Sequence, residues 1–343
     1  MSVKKIIRII LLTVALTAAY TAWLLFGSST HFDEDKKSFY INTGSTFNTV
    51  LADLTQQGFV KNTFTFRTVA RLTKYDQKVK PGKYVFEKGS SVYHFIKRLQ
   101  SGVQTPVNFV ITKLRTKEDL ARRIATNFEC DSLAVMRLLN NNDSLAAFSL
   151  DTNTVMTAII PNTYSILWTT PAARILKKLY NEQQKFWNET RKAKAKKLQL
   201  TPAQVYTLAS IVEEETNMPE DKGKIASVYI NRIKTGMKLA ADPTVKFAMK
   251  DFGLKRIYHK HLLYPSPYNT YQVQGLPPGP ICTPLPKTID AVLDAPDTDY
   301  LFFVAKADFR GYSNFAATYA EHQKYAKEYQ DALNILMKEK ELK

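Results

Sequence analysis

The segment TPAQVYTLASIVEEET, residues 201–216, decides how this chain folds and where its chemistry sits. Thr201, Pro202 and Gln204 spell a helix start. Threonine caps, proline takes the first helical position, and glutamine three residues after the cap completes a capping box. At 100° per residue, Val205, Leu208, Ala209, Ile211 and Val212 form one apolar arc, and Pro219 bounds the helix. On this projection Glu214 faces water and Glu213 lies on the margin. Glu215 falls between Leu208 and Ile211, inside the arc. Glutamate is rarely buried without a partner or a task. A carboxyl in such a place has its charged form disfavoured and holds a proton near neutral pH. A general acid for glycosidic cleavage needs that property. Two plainer outcomes stay open: the last turn can lift Glu215 into solvent, or Glu215 can pair with Arg232 as a structural ion pair.

Downstream, a helix over 219–235 presents Ile225, Val228 and Tyr229, carries Asn231 and Arg232 near its end, and stops at Gly236. AADPTV (240–245), YNTY (268–271) and QGLPPGPICTP (274–284) follow. Pro277, Pro278 and Pro280 fix backbone angles, while Gly275 and Gly279 permit close approach or unusual torsions. Tyr268 and Tyr271 around Asn269 suit a sugar, with rings over apolar faces and an amide exchanging hydrogen bonds with hydroxyls. A rigid loop built for stability is the alternative. Long irregular loops inside compact domains are more often binding elements.

Upstream, Ile9–Phe26 (IILLTVALTAAYTAWLLF) carries no charge and meets the minimum length for a membrane-spanning helix. Lys4, Lys5 and Arg8 precede it; Asp33, Glu34 and Asp35 follow. The basic flank predicts an N-terminus inside and a body outside the cytoplasm. A cleaved signal peptide competes, since Ala19 and Ala22 are small, but bulky residues run on to Phe26, which favours an anchor. No cysteine lies near enough for a lipoprotein.

The remaining sequence divides into a tail (1–5), an anchor (6–26), a linker (27–37), a small module (38–102), an intermediate α/β region (103–200) and a C-terminal region (201–343). In the module, SFYI (38–41) reads as a strand and Ser45 as the cap of a helix burying Phe47, Val50, Leu51 and Leu54. A second helix spans 62–73, KYVFE forms another strand, and Ser91 opens a last helix closed by Gly102. This order resembles a LysM-like carbohydrate-binding module. Beyond it, 107–111 is a strand, Thr116 heads a helix, 132–139 is helical, and 171–197 is helical with a basic end, KAKAKK (192–197). The net charge of +17 suits a polyanionic partner. An exported chain is not expected to meet nucleic acid. His259 and His261 lack a third ligand nearby, so no metal is expected, and no other cofactor is implied. Nothing in the spacing of Cys130 and Cys282 requires a disulfide.

ASIVEEET (209–216), VYINRIKTGMKLAADPTV (228–245), YNTY (268–271) and GLPPGPI (275–281) together resemble the endolytic murein transglycosylases, also called YceG-like proteins. The resemblance spans nearly the whole chain. It implies an α+β protein of the cytoplasmic membrane with one N-terminal transmembrane helix, a LysM-like module and a lysozyme-like catalytic region over 201–343. It implies cleavage of peptidoglycan glycan strands between N-acetylmuramic acid and N-acetylglucosamine, with functional coupling to peptidoglycan synthesis enzymes. The family's catalytic glutamate precedes threonine and maps onto Glu215, the residue the helical projection singles out. Glu213, Asn231, Arg232, Asp242, Thr244, Tyr268, Asn269, Tyr271 and Gly275 match motif positions expected to line the cleft. The motif's middle lysine is Glu214 here, and Thr283-Pro284-Leu285 stands where the family often has Pro-Gly. The implied chemistry uses one glutamate as acid and then base, leaving a 1,6-anhydro end. A hydrolytic muramidase using Asp242 as second carboxylate, and a non-catalytic membrane-tethered scaffold that binds peptidoglycan, are the alternatives.

Overall fold

A computed structural model describes residues 2–27, 30 and 32–341. Met1 of the expected tail, residues 28, 29 and 31 of the expected linker, and residues 342 and 343 lie outside the described residues. Helices and strands are mixed, as expected, with helix predominating. Helix α1 (Val3–Phe26) carries Lys4, Lys5 and Arg8 in its first two turns, is uncharged from Ile9 onward, and has no buried residue. At 1.5 Å per residue it extends about 36 Å, enough for a hydrocarbon core of about 30 Å. Among the described residues it is the one helix long and apolar enough to cross a membrane.

The chain forms two compact units. The first holds residues 1–109 with 127–130 and 164–171. Its elements after α1 are β1 (Lys36–Ile41), α2 (Phe47–Gln56), α3 (Thr63–Leu72), a short 3-10 turn (Tyr75–Gln77), β2 (Gly82–Glu87) and α4 (Val92–Ser101). Strand, helix, helix, strand is thus the observed order. β1 and β2 pair antiparallel with Phe39 opposite Tyr84 and Ile41 opposite Gly82. That register turns Phe39, Ile41, Tyr84 and Phe86 inward, and a one-residue slip would expose all four. Phe86 stacks on Phe95 of α4 at 3.9 Å, with Phe59 edge-on to both. Each such ring contributes about 2–3 kcal/mol by burial. Thr46, not Ser45, caps α2: its hydroxyl accepts from the Thr49 amide. Asn62 and Ser91 cap α3 and α4, and Gly102 ends α4 in the left-handed region at φ 70°.

The second unit takes residues 110–126, 131–163 and 172–343, so the stretch 103–200 is shared between both units. Strand β3 (Val107–Ile111) pairs with β4 (Asn162–Ile166), and the division runs through both strands. Between them lie α5 (Lys117–Asn127), α6 (Ser132–Leu139) and α7 (Asn142–Ala146). The basic stretch 171–197 is two helices, α8 (Ala172–Phe186) and α9 (Glu189–Lys197). The break falls where Asn188 caps α9 by accepting from the Arg191 amide. Then follow α10 (Pro202–Glu215), α11 (Pro219–Lys234), α12 (Asp242–Met249), α13 (His259–Leu262), α14 (Pro286–Leu293), the antiparallel pair β5 (Phe302–Ala305) and β6 (Ser313–Ala316), and α15 (Tyr319–Glu341). The core is α10 sandwiched by α11 and α14. Arg191 locks α9 to α14 with a two-pronged ion pair to Asp290, 2.7 and 2.9 Å, while stacking on Phe186.

Candidate active site

α10 begins as its sequence dictates. The Thr201 hydroxyl accepts from the Gln204 amide, and Gln204 Oε1 accepts from the Thr201 amide at 2.8 Å. Residues 205–212 are buried, so the helix is fixed along its length and delivers its last turn to a defined place. Three successive glutamates there meet three environments. Glu213 is buried and accepts from Lys222 Nζ at 2.8 Å and from the Thr288 hydroxyl. It ties α10 to α11 and α14. Glu214 does not face water, as the projection had it. Arg115 grips it at 3.2 and 3.0 Å and Lys113 at 3.1 Å. Burial alone would push the Glu214 carboxyl up, but the Arg115 hydrogen bonds and the Lys113 charge hold it below the usual range.

Glu215 is half-buried as a residue, while its carboxyl lies deep among protein atoms. Burial pushes its pKa up to about 7, against a hydrogen bond from Tyr229 and the charges of Arg232 and Lys246. The negative charge of Asp242 adds to the upward push. Tyr229 Oη donates to Glu215 Oε1 at 2.6 Å. Burial and the adjoining carboxyl raise the phenol well above its ordinary value, so it stays protonated and remains a donor. Arg232 does not pair with Glu215. It gives Nε to the Leu301 carbonyl (2.7 Å) and Nη1 to the Leu239 carbonyl (2.6 Å), and acts on Glu215 through its charge. The ion-pair alternative is thereby removed. Asp242 opens α12, is exposed, and accepts from Tyr271 Oη at 2.7 Å.

Of the residues expected from sequence, the fold therefore gathers Glu215, Arg232, Asp242 and Tyr271 into one electrostatic cluster. The others sit elsewhere. Asn231 binds the Thr298 and Tyr300 carbonyls, 2.7 and 3.1 Å away. Thr244 is buried against Ala241 and Thr270. Asn269, fully buried, commits its amide to the carbonyls of Leu262 and Tyr264 and its oxygen to the Tyr271 amide. Instead of offering hydroxyl contacts, it braces the loop that presents Tyr271. Tyr268 packs on Phe247 with ring centres 4.8 Å apart. Gly275, at φ 78°, makes a left-handed turn with open space around it. Two members of the cluster escaped the sequence reading. Tyr229 reads as an apolar-face residue, although a buried tyrosine hydroxyl must find a partner. Lys246 lies one turn after Asp242 on α12, a helix its sequence did not announce.

Among the described residues no group of three or more potential ligands could hold a metal ion. Cys130 and Cys282 form no disulfide, and Cys282 is buried.

A carboxyl kept protonated near neutral pH, hydrogen-bonded by a tyrosine and accompanied by a second, exposed carboxylate, has the form of a general-acid site in a mixed helix-and-sheet protein. The chain belongs to the YceG-like family, whose pattern matches residues 39–328. It is 30% identical over 313 residues to the endolytic murein transglycosylase of Bacillus subtilis, covering 86% of this chain and 85% of that protein. With the endolytic murein transglycosylase of Streptococcus pneumoniae R6 it shares 26% identity over 303 residues, or 77% of this chain. The chain spans about half of that longer relative (53%). A crystal structure of a YceG-like protein from Listeria monocytogenes superposes with a TM-score of 0.57 at 25% identity, covering 85% of this chain and 99% of that one.

Proposed function

We propose that this protein is a membrane-anchored enzyme that cuts peptidoglycan glycan strands internally, at the bond between N-acetylmuramic acid and N-acetylglucosamine, with Glu215 as the catalytic group. The observation that carries the reading is the Glu215 carboxyl, raised by burial to about 7 and so able to hold a proton for a leaving group. The names of the B. subtilis and S. pneumoniae relatives support the same substrate. Glu215 donates its proton to the glycosidic oxygen as the C1–O bond breaks through an oxocarbenium-like state. The carboxylate left behind takes the proton of the muramic acid C6 hydroxyl as that oxygen bonds to C1. This regenerates protonated Glu215 and leaves a 1,6-anhydro end, with no water consumed. Tyr229 holds the carboxyl in place, and Arg232 and Lys246 stabilise it while it is charged.

One observation favours a second outcome on the same bond. Asp242 is an exposed carboxylate whose charge reaches Glu215, and two carboxyl groups of unlike pKa can divide acid and base work between them. In that case Asp242 activates a water, and the product is a reducing end. In either outcome helix α1 anchors the chain with its N-terminus inside and its body outside the cytoplasmic membrane. The first unit's β1-α2-α3-β2 segment serves as a LysM-like carbohydrate-binding module, and the second unit carries a lysozyme-like catalytic region. Coupling to peptidoglycan synthesis enzymes belongs to the same proposal.

The test is mass analysis of uncross-linked strands incubated with the full-length protein in detergent, beside Glu215→Gln. Internal cuts whose ends are lighter by one water than reducing ends establish the transglycosylase reading; the heavier ends establish hydrolysis. Intact strands with folded wild-type protein would overturn the enzymatic reading in favour of a scaffold, and wild-type cutting by Glu215→Gln would overturn Glu215 as the catalytic group.

A further inference from the structure

Beside the Glu215 cluster, still within the second unit, two cavities adjoin. A small one of about 60 Å³ is lined by Lys246, Pro243, Glu214, Arg115 and Phe247. It begins at Lys246, whose charge acts on Glu215. Arg115 and Phe247 also line the second cavity, of about 190 Å³, together with Lys117, Asn153, Lys250 and Tyr268. Its lining has three cations against one carboxylate, Glu118. Two of those cations are already engaged by acids: Arg115 by Glu214, and Lys250 by Glu118 at 3.4 Å. Lys117 differs. Its ammonium bonds only neutral acceptors, Asn140 Oδ1 at 2.5 Å and the Thr152 carbonyl at 3.1 Å. It is partly buried, and burial lowers its pKa; nearby Glu118 and Asp151 act in the other direction and Lys250 adds to the lowering, with burial prevailing. A half-desolvated ammonium with no acid bonded to it, on the wall of a cavity, gains most when an anion enters.

The lining also holds the packed Tyr268 and Phe247 rings. Asn153 is held close by Gly279, where a Cβ would come within 2.0 Å of the Asn153 carbonyl oxygen. The cavity is therefore small, lined by more cations than carboxylates and by two aromatic rings, and it shares Arg115 and Phe247 with the smaller cavity that Lys246 lines. A neutral sugar satisfies the rings but not the ammonium. The parts of a peptidoglycan strand that carry negative charge are the carboxylates of its stem peptides. We infer that this cavity is a subsite for a stem-peptide carboxylate on a muramic acid near the scissile bond, with Lys117 and Lys250 as its cations. The inference rests on the glycan-cleaving reading for its choice of ligand.

The experiment uses synthetic glycan oligomers bearing stem peptides with free carboxylates, and the same oligomers with those carboxylates as primary amides. Cleavage by the full-length protein is measured for wild type and for Lys117→Gln/Lys250→Gln. Wild type is expected to prefer the free acids by about five- to tenfold, through KM, in line with one charge-assisted contact. The double variant brings that ratio close to one. Equal use of both oligomers by wild type, or a preference that survives in the folded double variant, overturns the inference. Should the double variant fail to fold, Lys250→Gln alone, at the exposed rim, must at least halve the preference. Calorimetric binding of both oligomers to Glu215→Gln reads the same ratio in Kd without turnover. If wild type cuts neither oligomer, the proposed activity falls, and the binding ratio still decides the subsite.

Discussion

Replacing Tyr229 with phenylalanine removes one hydrogen bond and leaves the ring that packs edge-on to Phe303 at 5.9 Å. The bond matters because it stabilises the carboxylate more than the acid. A hydrogen bond to a charged group is worth about 1.5–3 kcal/mol against about 0.5–1.5 for a neutral pair. The difference of about 1.4 kcal/mol corresponds to about one pH unit. Wild-type Glu215 titrates at about 7, and Tyr229 acts on it in the lowering direction. In Tyr229→Phe its midpoint therefore moves up, to about 8 by this reckoning. A general acid works while protonated, so the alkaline limb of the kcat profile should move about one pH unit higher. The peak rate should fall, because the carboxylate formed after proton donation is less well held. The assay is strand cleavage across pH 5–9, a range of about four pH units bracketing the midpoint, with thermal melts to show the variant is folded. An alkaline limb that stays in place, or moves to lower pH, refutes the assignment of Tyr229 as the group that positions and tunes Glu215.

Glu215 also makes stability depend on pH. Its folded midpoint of about 7 lies above the ordinary 4.5, so between those values the folded chain binds the extra proton and stability falls as pH rises. The full cost, at most about 3 kcal/mol, is present above pH 7 and absent below 4.5, so Glu215→Gln should melt higher than wild type at pH 8 and equally at pH 4. A wild-type advantage at pH 8 contradicts this. Gly279→Ala drives a methyl to 2.0 Å from the Asn153 carbonyl oxygen, and backbone must move. A loss of about 1–3 kcal/mol in denaturant unfolding is expected, and an unchanged midpoint would show the approach to be loose. Arg191→Lys keeps the charge but loses the fork on Asp290 and the stacking on Phe186. With both partners partly exposed the cost is about 0.5–1 kcal/mol, read by a double-mutant cycle with Asp290→Asn, and a coupling of zero would remove the pair's role.

What sequence could reveal here follows the range of each interaction. α10 is legible because its cap, its proline and its apolar arc are local, and Glu215 stands out as a carboxyl on the wrong side of that arc. Glu214 differs from its projected place because its partner Arg115 lies 99 residues away, and a helical projection has no view of it. The interruption at Asn188 is hidden by Trp187, a buried apolar residue that continues the helical pattern. Asn269 reads as a cleft residue because a polar side chain among tyrosines looks alike whether it addresses a sugar or a backbone carbonyl, and Thr244 reads as one only through its motif position. Only packing distinguishes the two. Tyr229 escaped for a related reason: its ring satisfies the apolar stripe, and its hydroxyl finds Glu215 only once α10 and α11 cross.

The second unit is assembled from three separated stretches, and its stitches are long. The Leu114 amide and carbonyl both bond Thr283, Arg115 holds Glu214, and Arg191 holds Asp290. Loop closure over such separations is slow compared with helix formation. Glu215 is made before Tyr229, Asp242 and Tyr271, and its carboxyl is an ordinary acid until they pack around it. The raised pKa of Glu215 is thus a property of the assembled unit and not of the helix that carries it.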